Sequence, residues 1–116
     1  MANHNCHNMH PEIKAALSKV NQKYPAPDAK ALQSAEKLLH YLDDINLERT
    51  GKFTPTPVQS LFVVWNVEDW EFHMECIRNG SVLYTFSQAG IEKASGSYPV
   101  DEFIPQLEHY LLIGVA

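Results

Sequence analysis

Residues 70–87 read WEFHMECIRNGSVLYTFS, two runs of β-branched and aromatic residues that flank Asn79-Gly80. Asn-Gly between two such runs is a strong hairpin signal, and the register can be argued because a slip of one residue exchanges the faces of a whole strand. A two-residue turn would pair Ile77 with Val82, Glu75 with Tyr84 and His73 with Phe86, placing acids beside aromatics. A three-residue loop, Arg78-Asn79-Gly80 with Gly80 left-handed as a bulge, pairs Cys76 with Val82, Met74 with Tyr84 and Phe72 with Phe86 instead. One face is then apolar. The other carries Glu71, His73, Glu75, Ser81, Thr85 and Ser87, with Ile77 and Leu83 as its apolar exceptions. The bulged register is the one the pattern predicts.

Working outward, Val58 to Asn66 precedes this hairpin as a third strand, entered through Thr54-Pro55-Thr56-Pro57, where each proline keeps its predecessor out of the helical region. Further upstream, Asp28 is a good N-cap for a helix whose stripe reads Leu32, Ala35, Leu38, Leu39, Leu42 and Ile45. Before it, His10-Pro11-Glu12 opens a first helix to about Lys23 with Ile13, Ala16, Leu17, Val20 and Tyr24 on one side, and Pro25-Ala26-Pro27 stops it. The short connection makes the two helices an antiparallel hairpin. Downstream, residues 89–97 read as a loop because Gly90, Ser95 and Gly96 fall within them. A last helix, short or kinked at Pro105, runs to about Leu112 with Phe103, Leu107, Tyr110 and Leu111 buried. The predicted fold is α+β with two layers: a helical hairpin, a three-stranded antiparallel meander and a C-terminal helix, in the order ααβββα. Residues 1–116 form one domain, with 1–9 a flexible arm. Such a sheet has open edges, shielded by the lead-in prolines or paired with a second copy.

Composition narrows the classes of function. Hydrophobic residues make up 45% of the 116-residue chain and charged residues 20%, so the chain folds rather than remaining disordered. A net charge of −5 without a basic stripe argues against nucleic acid as a partner. No apolar run approaches the roughly 20 residues of a membrane span, and no signal peptide is read, so the expected location is cytoplasmic. Cys6 and Cys76 are too few for a disulfide framework and are expected as free thiols.

Two constellations could carry chemistry. His4, Cys6, His7 and His10 lie within seven residues, donor types that zinc, copper or nickel accept, against the alternative of a plain polar arm. If Met1 is removed, Ala2-Asn3-His4 also resembles the amino-terminal copper and nickel motif. Glu71, His73 and Glu75 share one strand face; neighbours two apart stand about 6.5 to 7 Å from each other, while the two acids lie about 13 Å apart. An imidazole beside a carboxylate could do acid–base work, but a solvated sheet face has the same composition. Cys76 is predicted to point into the core, away from His73. Trp65, Trp70, Phe72, Tyr84 and Phe86 are expected as core rather than as a ligand-stacking platform. Glycine-rich phosphate loops, GxSxG, CxxC and HExxH are absent.

The order of features over residues 28–112 carries a resemblance. A Leu-rich helix, Pro55-Thr56-Pro57, the strand Leu61-Phe62-Val63-Val64-Trp65, an acidic strand, Asn79-Gly80 and an aromatic strand look like small uncharacterised α+β bacterial proteins found near mobile elements. The chain departs from that pattern in lacking a glycine just before the Trp-bearing strand and in adding an N-terminal helix and a His-rich arm. No catalytic residue comes with the resemblance, which implies a prokaryotic, non-enzymatic accessory protein. No function is carried over from it; because nothing catalytic is found, the expected function is a non-catalytic protein-binding or regulatory module, with a protein partner or a homodimer and with neither nucleic acid nor membrane. The alternatives are a metal-binding accessory protein using His4, Cys6, His7 and His10, and a small enzyme centred on His73.

Overall fold

The computed structural model describes residues 9–20, 25–46 and 51–115, with side chains through 112. Its central hairpin joins β3 (Trp70–Cys76) to β4 (Ser81–Gln88) in the bulged register, with Cys76 opposite Val82, Met74 opposite Tyr84 and Phe72 opposite Phe86. Gly80 takes φ +92°, its N–H donates to Ile77 O at 3.1 Å, and Ile77 N–H donates to Ser81 O at 3.0 Å. A side chain at Gly80 would have to adopt the left-handed region, which only glycine does without strain.

The sheet has five antiparallel strands in sequence order rather than the predicted three. β2 (Leu61–Val67) pairs with β3, and β1 (Thr54–Pro55) adds a short strand opposite Phe62 and Leu61. Val58 to Ser60, expected to open the strand, belong to the loop between them, where Gln59 takes φ +62°. The larger correction is β5 (Ile91–Pro99), a full edge strand through residues read as a loop. Its connection to β4 is Ala89-Gly90 with φ +51° and +83°, the primed type of turn that suits the twist of a hairpin. Ser95, Gly96 and Ser97 are poor strand formers, yet pairing with Thr85, Tyr84 and Leu83 overrides that preference.

The helices lie on one face of the sheet. α1 (Pro11–Leu17) is shorter than predicted; Tyr24, placed in its stripe, lies outside the described residues. α2 (Ala29–Asp44) begins at the predicted cap, where the Asp28 carboxylate accepts from Lys30 N–H at 2.9 Å. Ala31, Ser34, Ala35, Leu38, Leu39 and Leu42 are its buried residues, while Ile45 is exposed. Ser34 reaches the core because its hydroxyl donates to Gly80 O at 3.2 Å. α3 (Val100–Val115) follows β5 directly and continues through Pro105, so the expected short helix is a 16-residue one. Of the arm expected over residues 1–9, only Met9 is described, and it packs against the core. No described helix is long and apolar enough to cross a membrane.

Alternate side chains of the sheet fill the space beneath these helices. Phe72 meets Phe86 edge-on at 4.8 Å, and Phe103 of α3 sits 5.3 Å from Tyr84 and 6.0 Å from Phe86. Burying a side chain the size of Phe103 is worth roughly 2–3 kcal/mol, whereas an exposed ion pair such as Lys37–Asp101 contributes about 1 kcal/mol at most. Packing, not surface charge, therefore docks α3. At the β1 end of the sheet, Gly51 lies so close to β2 that an added Cβ would stand 2.0 Å from Val64 O and 2.3 Å from Trp65 Cδ1. Gly51→Ala is expected to lower the unfolding free energy by about 2 kcal/mol or more, read from urea denaturation, because backbone must move to admit the methyl group.

Candidate functional site

The face of the sheet away from the helices carries the polar half of the alternation. Glu71 and His73, two apart on β3, are brought together: His73 Nε2 and Glu71 Oε1 are 2.7 Å apart, and both side chains are solvent-accessible. The Phe62 ring, from β2, stands edge-on to His73 at 6.0 Å. Glu75 shares the face but turns to the neighbouring loop, where its Oε2 accepts a short hydrogen bond from Ser60 Oγ. That bond uses the single Ser60 hydroxyl proton, so Thr56 is the donor in the contact between the Thr56 and Ser60 hydroxyls. The expected three-residue group is thus a His73–Glu71 pair and a separate Glu75–Ser60–Thr56 chain.

Around these groups the sheet surface is hollowed. A concavity of about 450 Å³ is lined by Phe62, His73, Glu75, Leu83, Thr85 and Ser87, and also by Met74, Tyr84 and, from β5, Gly96. Leu83 is 40% exposed within it, a large apolar side chain amid polar ones. Sequence reading marked Leu83 only as an exception to the pattern. Phe62 was hidden in the apolar run that begins β2, and Ser60 and Thr56 carried no signal because their role depends on a loop three-dimensionally next to β3.

The second candidate group is divided by the structure. His4, Cys6 and His7 lie outside the described residues. His10 caps α1: its Nδ1 accepts from Glu12 N–H at 3.1 Å, and its Nε2 lies 2.7 Å from Asp43 Oδ2 near the end of α2. With Nδ1 accepting, the neutral ring carries its proton on Nε2 and donates to the carboxylate. His10 N–H also donates to Glu36 Oε1 at 2.9 Å. Both ring nitrogens are therefore engaged, Nδ1 in capping α1 and Nε2 in joining its start to α2, and a metal would have to displace those bonds. Among the described residues, no three His, Cys, Asp or Glu are grouped to hold a metal ion.

Cys76 points into the core as predicted and is wholly buried. Burial first, and the charge of Glu75 second, push its thiol up to about 12. Tyr41 is likewise pushed up to about 12, by burial and then by Glu108, whose carboxylate accepts its hydroxyl at 3.3 Å. Trp65, Trp70, Phe72, Tyr84 and Phe86 are all in the core, as expected, rather than on the open face.

No protein-family model, no curated protein and no solved structure matches the chain.

Two outcomes follow from the state of Cys76. In a Cys6→Ser background, native protein should resist an aromatic disulfide reagent at mildly alkaline pH and react fully once unfolded, since the thiolate is the reactive form. In the unfolded chain the thiol ionises near 9.0, well before the native thiol at about 12. The unfolded state therefore loses its proton first, and stability falls as pH rises from about 9 towards 12. Cys76→Ala is expected to flatten that fall in the urea midpoint, whatever it costs at neutral pH.

Proposed function

We propose that the chain is a non-catalytic protein-binding module that presents the open face of its sheet to a partner. The observation that carries this reading is the concavity of about 450 Å³, in which Phe62 and the exposed Leu83 lie beside His73, itself paired with Glu71, and Glu75. An apolar centre with a polar, acidic rim is the arrangement of a docking surface. The net charge of −5 favours a basic partner and would speed the encounter.

One observation favours a second reading: the concavity reaches His73, and Glu71 orients that imidazole as a carboxylate orients a general base. The hollow is wide and open to water, however, which suits a protein surface better than a substrate that must be desolvated. Cys76, the nearest thiol in sequence, is buried on the opposite face.

A photoreactive amino acid at Leu83, compared with one at the exposed helix residue Lys30, tests the binding reading in extract of the source cells. The expected result is one protein crosslinked at position 83, absent at position 30, with a yield that falls as salt is raised. Equal labelling at both positions, or none at either, contradicts it. Turnover of simple ester, amide or phosphate substrates that His73→Gln abolishes would favour the enzyme instead.

A further inference from the structure

The two edges of the sheet are finished differently. At one, β1 is two residues long and contains Pro55, and the Gly51 segment abuts the backbone of β2. At the other, β5 runs for nine residues with no neighbour on its outer side among the described residues. Its backbone phase is set by the ladder. Gly96 and Tyr98 pair with Tyr84 and Val82, and Val100 N–H continues the run by donating to Gly80 O at 3.3 Å. In an antiparallel pair only alternate residues exchange both hydrogen bonds, so the N–H and C=O groups of Ser95 and Ser97 point outward.

Two irregularities bound the usable stretch. The register shift leaves Lys93 unpaired, and Pro99 has no N–H; each stands three residues from Gly96. Between them lies Ala94-Ser95-Gly96-Ser97-Tyr98, which carries no charge.

We infer that β5 pairs antiparallel with β5 of a second copy about a two-fold axis at Gly96, joining the two five-stranded sheets into one. Ser95 then faces Ser97 of the second copy and the reverse, giving four main-chain hydrogen bonds. On the helix side, Tyr98 falls opposite Ala94 of the second copy. Both are half-buried beside the core, as is Ile104 of α3, and the Tyr98 ring stacks on Tyr84 at 6.1 Å. Moving the axis to Ser95 would set Tyr98 against Glu92, and moving it to Ser97 would set Tyr98 against Gly96. The axis at Gly96 sets Tyr98 against an apolar side chain, Ala94, rather than against the charged Glu92 or against a glycine that has no side chain to pack. The same register meets the demand of charge. Two chains of −5 approach through an uncharged strip, and Lys93 of each comes beside Pro99 of the other, next to its acidic Asp101 and Glu102. This pairing does not rest on the open-face reading: it is argued from the edge of β5, which contributes Gly96 alone to the lining of the concavity.

Sedimentation velocity over a concentration series, with Ser97→Pro beside the wild type, tests the inference. Proline at 97 removes an outward N–H that has no acceptor among the described residues, so the variant is expected to keep the monomer fold. The expected result is a wild-type species of twice 13.2 kDa and a Ser97→Pro variant at 13.2 kDa with an unchanged circular dichroism spectrum. A wild type that stays monomeric at every concentration, or a folded Ser97→Pro variant that remains dimeric, overturns it. If Ser97→Pro fails to fold, amide exchange on the wild type decides. Ser95 and Ser97 should exchange about tenfold or more slowly where the dimer is populated and lose that protection on dilution. Rapid exchange at both amides within a dimer overturns the inference.

Discussion

The rest of the structure depends on one residue with positive φ, Gly80. Its φ of +92° closes the bulge between β3 and β4, and that bulge sets which side chains of both strands face the helices. The carbonyl of the same residue accepts the Ser34 hydroxyl from α2 at 3.2 Å and the Val100 N–H at the start of α3 at 3.3 Å. Register, the seating of α2 and the point where β5 passes into α3 thus meet at one peptide group. Two hydrogen bonds of this kind contribute about 1 kcal/mol each, little beside the aromatic core they help to align. Their effect is on which arrangement forms more than on how stable it is.

Once the register is set, the chemistry of each face follows. The inner face takes Trp70, Phe72, Met74 and Cys76 out of water, and the Cys76 thiol is held protonated by the burial that packs it. The outer face keeps Glu71, His73 and Glu75 together on one strand, but their neighbours decide what each does. His73 is held by Glu71 and flanked by Phe62, while Glu75 is drawn to Ser60. The result is a polar surface with an apolar centre.

Much of this was legible in residues 70–87, because a period of two leaves few self-consistent registers and Asn79-Gly80 names the turn. The cap at Asp28 and the stripe from Ala35 to Leu42 placed α2 for similar reasons. Ser34 was not legible as a core residue, since its burial depends on a carbonyl 46 positions away. β5 was missed because its strand character comes from pairing with β4; its own Ser, Gly and Ser residues argue for a loop. Pro105 sits inside α3 although its chemistry argues for a break there, and the burial of Phe103, Leu107 and Leu111 holds the helix to the sheet on both sides of it. At the site, the closeness of Glu71 and His73 follows from their spacing, whereas the concavity depends on residues from four strands.

The register of the central hairpin is the claim on which both faces, the site and the edge rest. Nuclear Overhauser contacts between Cα protons across β3 and β4 read it directly, because those protons are close only in the non-hydrogen-bonded pairs. Strong contacts are expected for Cys76–Val82, Met74–Tyr84 and Phe72–Phe86. Strong contacts for Glu75–Tyr84 and His73–Phe86 in their place would mean a two-residue turn, and would contradict the account from the sheet outward.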